Sequence, residues 1–247
     1  MSSLRSNTNR LAYDVFAGVY NDYWSSAYAR QVISILERVL LSTLPLPARI
    51  VDICCGCGHV ADLLSKLGFE TLGVDFSMRM LMKARQNAPH ATFIQADITE
   101  SLPLVGCDAA VCLFDSLNHM SDMPALISAV RGISCVLRPR GRFVGDIYMN
   151  FANHRDQGTM RLSNGCVIKH SYSFNCRERL GTHRYVISEP LVTQQQEILI
   201  IERAHDETEM INALESSGFE HVKVCDASVL NPSSRPGHRL FITATKI

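Results

Sequence analysis

Two glycines and two carboxylates in the first third of the chain have the spacing of a nucleotide-binding site. Gly56 and Gly58 follow a short β-branched stretch, 49–53, and precede a stretch with the apolar pattern of a helix. A glycine turn lets a ligand approach the main chain closely, and a helix that starts there presents unpaired N–H groups. Asp52 lies inside the first strand, and Asp75 follows it at roughly 20 residues, the spacing at which an acid meets a ribose. A carboxylate can accept two hydrogen bonds from a cis-diol, so these residues predict a nucleotide-binding corner.

The elements that must position these residues alternate between strand and helix. Further short apolar stretches lie at 70–74, 92–96, 108–113 and 142–147, and helical patterns separate them. This alternation is typical of a parallel sheet with helices on both faces, in which ligands bind at the carboxyl ends of the strands. The sequence therefore predicts a ligand-binding rim formed by the residues at five strand ends: Cys54, Asp75, Asp97, Asp115 and Tyr148.

Two helical patterns precede the first predicted strand. Tyr13, Phe16 and Tyr20 would lie on one face of a helix over 11–24, and apolar residues recur at helical spacing over 28–41. The aromatic face has two interpretations that spacing leaves open: it packs on the sheet as core, or it closes over a bound ligand. The second helix is expected to cover one face of the sheet.

Beyond the fifth strand, polar and apolar residues alternate. This change predicts an antiparallel β platform inserted at 150–203. Its strand patterns lie at 166–174, 183–187 and 193–201. Two further stretches, 220–226 and 239–246, are joined by a loop rich in Pro, Ser and Gly and predict an antiparallel C-terminal hairpin.

The composition limits the class of protein. A chain of 247 residues that is 47% hydrophobic can bury a full core, so we expect a single domain over 1–247 that carries an insertion. The net charge is zero and Lys and Arg are scattered, which argues against a nucleic-acid partner. No stretch has the length and apolar character of a membrane span or a secretion leader, so no membrane partner and a cytoplasmic location are expected.

The nine cysteines are predicted to be free thiols. Several of them fall in apolar segments, as buried thiols of a reducing compartment do: Cys54, Cys55, Cys107, Cys112 and Cys135. Cys54, Cys55 and Cys57 could be considered as metal ligands. However, no second cluster of Cys or His at metal-ligand spacing completes the set, so no metal is predicted.

Six stretches in chain order resemble the motifs of class I S-adenosylmethionine-dependent methyltransferases of the small-molecule type. They are 13–20 (YDVFAGVY), 52–58 (DICCGCG), 73–77 (GVDFS), 95–98 (QADI), 114–119 (FDSLNH) and 137–141 (LRPRG). Cys54 departs from the family pattern because the family has its first glycine there, and Arg140 offsets the glycine of the last motif. The resemblance implies a Rossmann-like sheet, with 11–41 as an N-terminal helical lid and 150–203 as a substrate platform.

The resemblance also implies S-adenosylmethionine as the cofactor. Asp52 would lie near its amino end, Asp75 on the ribose hydroxyls and Asp97 at the adenine. The full cofactor set that the resemblance implies is Tyr13, Tyr20, Asp52, Cys54, Gly56, Gly58, Asp75, Phe76, Met80, Asp97, Ile98, Phe114 and Asp115.

The predicted function is methyl transfer to a nitrogen or oxygen atom of a small molecule. Methyl transfer requires mainly that a nucleophile be held in line and that water be excluded, so no catalytic dyad is needed. The catalytic candidates are His119, Asn118 and Tyr148, although His119 is equally well explained as a hydrogen-bonding loop residue. The platform adds four candidates for acceptor binding, namely His170, Tyr172, His183 and Tyr185.

Two other functions remain open. A nicotinamide dehydrogenase would share the glycine corner, although Asp52 within the first strand and the C-terminal hairpin oppose it. A protein that keeps S-adenosylmethionine as a structural element, or uses it for a non-methylating reaction, is the other alternative. Its only sequence indication is Cys54 in place of glycine. Methylation of nucleic acid is disfavoured because the fourth-strand motif, FDSLNH, lacks the Pro-Pro-aromatic pattern of base-amine enzymes.

Overall fold

The computed structural model describes residues 2–153, 158–190 and 195–247, in which strands and helices alternate as the sequence predicts. The helices are α1 (Ser2–Tyr20), α2 (Ser26–Val39), α3 (His59–Lys66), α4 (Met78–Asn87), α5 (Met123–Val136), α6 (Glu207–Glu215) and α7 (Ala227–Leu230). The strands are β1 (Arg49–Ile53), β2 (Glu70–Asp75), β3 (Thr92–Gln95), β4 (Cys107–Cys112), β5 (Leu137–Tyr148), β6 (Gly158–Arg161), β7 (Val167–Asn175), β8 (Leu180–Ser188), β9 (Gln196–Arg203), β10 (Phe219–Asp226) and β11 (Arg239–Lys246).

Seven strands form a central sheet in the order β10-β11-β5-β4-β1-β2-β3. Strands β1 to β5 run parallel, β11 pairs antiparallel with β5, and β10 pairs antiparallel with β11. A parallel sheet is covered on both faces, which explains why all but one residue of β1 and all but one of β4 are buried. The predicted fold class, including the antiparallel C-terminal pair, is confirmed.

Helices cover both faces of the central sheet. On one face, α2 packs Val32 and Leu36 against Ile50 of β1, as predicted. On the other, α5 and α6 pack residues such as Leu126 and Leu214 into a second core cluster. Each fully buried leucine of this kind contributes about 1.5–3 kcal/mol through removal of apolar surface from water. These two layers hold the carboxyl ends of the strands in a fixed arrangement.

Two boundaries differ from the sequence prediction. Strand β5 starts at Leu137, which pairs with Cys107 before the register shifts, so residues 138–141, which lie before the predicted stretch 142–147, form a bulge within the strand. Arg140 carries the positive φ of 64° that this bulge requires. At the N-terminal end, α1 begins at Ser2 and continues through a π-helical turn into α2, so the two predicted helices form one helical segment.

The insertion forms a separate antiparallel sheet in the order β6-β7-β8-β9, which confirms the predicted β platform. Strand β6 was not expected, and residues 193 and 194 of the third predicted strand lie outside the described residues. Helix α1 packs its aromatic face on this sheet, where Phe16 joins a cluster with Ile168 and Ile200. Phe16 of the aromatic stripe is therefore core of the platform rather than of the central sheet, whereas Tyr13 and Tyr20 are only partly buried.

All nine cysteines are free thiols, and Cys55, Cys107 and Cys112 are buried as expected. Cys135 is exposed and Cys54 is only half-buried, so the expectation of burial was wrong for these two. Cys135 lies on the outer face of amphipathic α5, where apolar neighbours in sequence do not mean apolar neighbours in space. Within the described residues, no three His, Cys, Asp or Glu side chains are grouped to hold a metal, and no helix could cross a membrane.

Candidate functional site

A cavity of about 880 Å³ lies at the carboxyl ends of β1, β2 and β3, and we name it the strand-end cavity. Its volume is in the range of about 300–1,000 Å³ that small-ligand pockets occupy. Most of the predicted cofactor residues line it, namely Tyr13, Tyr20, Cys54, Gly56, Asp75, Phe76, Met80, Asp97, Ile98 and Phe114. The structure thus brings together residues from four of the five predicted strand ends and from the N-terminal helix, whereas Tyr148, at the fifth, is not among the described lining residues.

The turn after β1 depends on left-handed backbone conformations. Gly58 has φ of 76°, and a Cβ added there would lie 2.8 Å from Cβ of Ala84, so only glycine lets α3 and α4 pack. Gly58 therefore lies behind the cavity wall and shapes it indirectly. Cys54 also has a positive φ, 57°, which costs a non-glycine residue about 1–2 kcal/mol. The hydrogen bond of its thiol with Cys112, together with burial, raises the pKa of Cys54 well above its usual value.

Asp75 joins the glycine turn to the end of β2. Its carboxylate accepts hydrogen bonds from the backbone N–H of Gly56 and of Ser77, each at 2.9 Å. Burial raises the pKa of Asp75 to about 6, although these two hydrogen bonds favour the ionised form. Ser77 in turn donates to Asp14 of α1 at 2.6 Å and caps α4 by accepting from Met80. Asp75 therefore orients the glycine turn after β1 and also lines the strand-end cavity.

Asp97 and Asp52 differ in how they relate to this cavity. Asp97 lines it and is oriented by hydrogen bonds from the backbone N–H and the hydroxyl of Thr99, at 2.9 and 2.7 Å. Asp52 is only 3% exposed and lies behind the described lining, and its Oδ2 atom has no hydrogen-bond partner. Burial, aided by the charge of Asp75, raises the pKa of Asp52 to about 8. Its contact with the cofactor stays a prediction.

A second cavity, of about 650 Å³, lies between α1, the platform and the central sheet, and we name it the platform cavity. It shares Tyr13, Tyr20 and Phe114 with the strand-end cavity. Several residues that were predicted to act on the acceptor line it: Tyr148, His170, His183 and Tyr185. Tyr172 is not among the described lining residues, and its hydroxyl donates instead to the backbone carbonyl of Phe151 at 2.9 Å.

The turn after β4 separates the two cavities and is strained. Phe114 and Asp115 both have positive φ, 60° and 54°. The backbone N–H of Phe114 donates to the Tyr28 hydroxyl at 3.2 Å, and that of Asp115 donates to Asp146 at 2.7 Å. Arg239 lies with its Nη2 3.2 Å from Asp115 Oδ1. Strained backbone of this kind persists only where surrounding groups over-determine it, and such sites are often functional.

Arg239 neutralises two carboxylates at this turn. Its Nη1 lies 2.9 Å from Oδ1 of fully buried Asp146, and its guanidinium lies over the ring of Tyr28 at 5.4 Å. Burial raises the pKa of Asp115 to about 6, although the charge of Arg239 acts in the opposite direction. Asp115 was predicted as a cofactor residue, but it lines the platform cavity. Sequence reasoning missed Arg239, and its position after a long loop offered no signal.

A chain of polar side chains links the two cavities. His119 lines the strand-end cavity, with its Nε2 2.9 Å from the Tyr13 hydroxyl and 3.8 Å from Glu202 Oε1. The other oxygen of Glu202 lies 3.4 Å from His183, whose Nδ1 is 3.0 Å from His170 Nε2. Burial and the negative charge of Glu202 raise the pKa of Tyr13 well above 10, so its hydroxyl keeps its proton.

Glu202 is the central member of this chain, and sequence reasoning missed it. It is 8% exposed and lines the platform cavity. Burial would raise its pKa, but a hydrogen bond from His183 and nearby positive charge outweigh burial, so the pKa is lowered and the group is ionised. One signal could have revealed it: Ile198, Ile200 and Glu202 alternate on the buried face of β9, so a carboxylate takes an apolar position.

Asn118 does not have the position of a catalytic group. It is 0% exposed, and its amide donates to the backbone carbonyls of Tyr148 and Arg203 at 3.2 and 2.9 Å. Its side-chain oxygen accepts from the Tyr148 N–H at 2.9 Å. Asn118 thus joins the end of β5 to the end of β9, and of the three catalytic candidates only His119 and Tyr148 line the described cavities.

The sheet order, the glycine turn and the acids at successive strand ends define the class I methyltransferase fold. Residues 50–141 match the sequence family described as "Methyltransferase domain". This stretch contains β1 to β4 and most of the wall of the strand-end cavity. The class predicted from the motifs is confirmed for residues 50–141, which match a methyltransferase domain.

Comparison with characterised and curated sequences supports this class. The chain is 32% identical over 145 residues to YqeM of Bacillus subtilis (strain 168), whose assignment as a methyltransferase is itself provisional, covering 57% of each chain. It is 37% identical over 111 residues to trans-aconitate 2-methyltransferase of Rhodopseudomonas palustris (strain BisB18), covering 41% of this chain and 43% of that one. A third relative, the S-adenosyl-L-methionine-dependent Diels-Alderase iccD of Talaromyces variabilis, is 31% identical over 156 residues, covering 56% and 52%. The chain thus spans about half the length of these relatives.

Solved structures share the fold along nearly the whole chain. An S-adenosylmethionine-dependent methyltransferase from Clostridium acetobutylicum ATCC 824 has a TM-score of 0.75 at 17% identity, covering 95% of this chain and 98% of that one. The DhpI-SAH complex has a TM-score of 0.67 at 16% identity, covering 100% and 98%. The platform and the N-terminal helices therefore belong to the shared architecture.

Proposed function

We propose that this protein transfers a methyl group from S-adenosylmethionine to a nitrogen or oxygen atom of a small molecule. The observation that carries this proposal is the pair of cavities that share Tyr13, Tyr20 and Phe114. One has the glycine turn and acids expected for a nucleoside, and the other has the polar groups expected for an acceptor. When bound, S-adenosylmethionine supplies a methyl group that is already activated by its sulfonium.

The residues of the strand-end cavity fit this cofactor. Asp75 would accept hydrogen bonds from the ribose hydroxyls, and Asp97 with Ile98 would contact the adenine. The unpartnered oxygen of Asp52 is the kind of buried acceptor that a cofactor ammonium would satisfy. The positive φ of Gly56 and Cys54 supports close approach of the ligand to the main chain.

Rate acceleration would come mainly from orientation, which can supply about 7–11 kcal/mol in well-aligned systems. His119 and Tyr148 are the groups of this chain that would touch the reacting atoms. A base at His119 would add about 10²- to 10⁴-fold if the acceptor must lose a proton. Tyr13, which keeps its proton, would act as a hydrogen-bond donor. Asn118 is a positioning residue.

We further propose that the platform, 150–203, selects the acceptor, because β7, β8 and β9 supply much of the described wall of the platform cavity. A named relative acts on trans-aconitate, which supports a small-molecule acceptor. Nine free thiols are consistent with a cytoplasmic location. Replacing this segment while leaving Asp75 and Asp97 in place should abolish turnover of the acceptor and preserve cofactor binding.

The proposal is tested by incubating the protein with isotopically labelled S-adenosylmethionine and a panel of small metabolites. We expect S-adenosylhomocysteine to form together with one labelled product, as detected by mass spectrometry. Calorimetry with S-adenosylhomocysteine provides an independent measure of cofactor binding. Absence of binding would overturn the proposal.

A protein that binds the cofactor without methylating is the weaker alternative. One relative is named for a Diels-Alder reaction, and Cys54 was the only indication in the sequence. In the structure, Cys54 adopts a left-handed backbone conformation, which glycine favours, and it lines the cavity. The substitution therefore preserves the turn. Binding of S-adenosylmethionine with the cofactor recovered unconsumed from every acceptor would favour this alternative.

A further inference from the structure

The charges of the described residues around the platform cavity do not balance. Asp115 and Glu202 line the cavity, and Asp146 lies directly behind, where it accepts the backbone N–H of Asp115 at 2.7 Å. Among the described lining residues, Arg239 is the only Lys or Arg. Three carboxylates thus face one guanidinium, and the remaining titratable groups are tyrosines and histidines. The described wall, with Asp146 behind it, therefore stays net negative even when one imidazole is protonated.

Arg239 is not available to bind an anionic acceptor. It lies 3.2 Å from Asp115 and 2.9 Å from Asp146, which are on two different strand ends. The carboxylate of a ligand would have to displace one of these partners and leave it buried without a cation, which is costly. An acceptor that resembles trans-aconitate, with several carboxylates, is therefore a poor match for this cavity.

Glu202 has no Lys or Arg within ion-pair distance among the described residues, although the charge of Arg239 helps to lower its pKa. Among the described residues, its ion-pair partners are the imidazoles of His119 at 3.8 Å and His183 at 3.4 Å. Imidazoles change their charge within the physiological pH range, so they do not hold a compensating charge at all times. A buried carboxylate is stable only when it is paired or well hydrogen-bonded. A cationic ligand group would complete this site.

We infer that the platform cavity takes a small molecule with a cationic amine, and that Glu202 forms the ion pair with it. The aromatic rings of Tyr20, Trp24 and Tyr185 line the same cavity and suit a cation, because ring faces attract positive charge. An ammonium must lose one proton before its nitrogen can react. The imidazole that takes this proton becomes a cation beside Glu202, so the charge balance is kept. This inference rests on the proposed function only in naming the amine as the methyl acceptor.

The single tryptophan of the chain, Trp24, lines the platform cavity and provides a direct binding signal. The full chain is titrated with benzylammonium, benzyl alcohol and benzoate, with and without S-adenosylhomocysteine, and the fluorescence of Trp24 is followed. We expect benzylammonium to bind at least about tenfold more tightly than benzyl alcohol, and benzoate to bind most weakly. Equal binding of amine and alcohol, tighter binding of benzoate, or no saturable signal with benzylammonium would overturn the inference.

Two matched variants assign the preference to one carboxylate. Glu202→Gln keeps the size of the side chain and should reduce the ratio of amine to alcohol affinity to about one. Glu197→Gln removes an exposed carboxylate on the same strand, paired with Arg184, and should keep the ratio of the unaltered protein. A retained preference in Glu202→Gln would contradict the assignment. If that variant fails to fold, the ranking of the three probes in the unaltered protein still decides.

The two proposals can fail separately. Calorimetry with S-adenosylhomocysteine tests the cofactor, and loss of that binding would overturn the proposed function. The preference for an amine is measured by Trp24 fluorescence and does not require methyl transfer, so it is tested independently of the proposed function.

Discussion

The strand-end cavity and the platform cavity share three aromatic residues but are built in different ways. Apart from α1, the described wall of the first comes from residues 54–125, and most of it follows directly after strands of the central sheet. The wall of the second draws on residues from Tyr13 to Arg239, contributed by both sheets. One cavity therefore depends on the local order of the chain, and the other depends on how the two sheets are assembled.

The acids of the two cavities are also held differently. Asp75 and Asp97 accept hydrogen bonds from backbone N–H groups within or next to their own turns. Asp115 and Glu202 depend instead on side chains, namely Arg239 and two histidines. Backbone donors survive substitution, whereas side-chain partners do not. The platform cavity should therefore change more readily between related chains, and the substitutions below test this difference.

The largest effect is expected from Arg239→Met. Removal of the guanidinium leaves fully buried Asp146 and half-buried Asp115 without a cation, which should lower the free energy of unfolding by about 3–5 kcal/mol. Urea denaturation measures this loss. Arg184→Met breaks an exposed ion pair with Glu197 and should have a much smaller effect. Equal losses in the two variants would show that the buried cluster is not specially stabilising.

Asp75→Ala tests the backbone-held acid. Each lost charge-assisted hydrogen bond to the ribose is worth about 1.5–3 kcal/mol, so the affinity for S-adenosylhomocysteine should fall at least about tenfold. Calorimetry measures the affinity. Glu70→Ala, at the opposite end of the same strand, removes an exposed partner of Arg49 and should leave binding unchanged. Unchanged binding in Asp75→Ala would remove this acid from the site.

Asp52→Asn tests the acid behind the glycine turn through pH. Burial raises the pKa of Asp52 to about 8, whereas an unfolded chain releases this proton near pH 3.9. The stabilisation from this group is therefore complete below about pH 4 and is lost as the pH rises toward 8. The slope is at most about 1.4 kcal/mol per pH unit. In Asp52→Asn, the free energy of unfolding should fall less steeply with pH between pH 5 and pH 8. The difference between the slopes of the two proteins should be on the order of 1.4 kcal/mol per pH unit. Parallel curves would contradict the burial of an ionisable group here.

The smallest effect concerns α1, which we predict to be a mobile lid over both cavities. Polar contacts join it to the rest of the chain, including Tyr13 with His119 and Asp14 with Ser77. Each such hydrogen bond contributes about 0.5–1.5 kcal/mol, so local opening should be frequent. Hydrogen exchange should show amides over 13–24 that exchange fast in the free protein and slow down with S-adenosylhomocysteine. Strong and equal protection in both states would show a fixed core helix instead.

The sequence alone predicted the strand-end cavity because its determinants are local. β-Branched runs, helical spacing and glycine turns each act over a few residues, and parallel strands necessarily bring their carboxyl ends to one edge. The bounds of β1 were predicted without error, and those of β2 to within a residue. The bulge at 138–141 was missed because a positive φ at Arg140 leaves no periodic signal.

What only the tertiary structure decided is the platform cavity. Glu202, Arg239 and Asp146 meet there from three strands of two sheets, and no local pattern encodes that meeting. Asn118 is a second residue whose role depended on its neighbours in space. Its sequence position suggested catalysis, but hydrogen bonds to distant residues occupy both of its polar atoms. The spacing of apolar residues along a helix or strand is set within that segment, so the sequence determined the sheet and the glycine turn. The charge partners of a buried side chain depend on segments that approach from elsewhere, so they were decided by the packing of the platform and α1 against the central sheet.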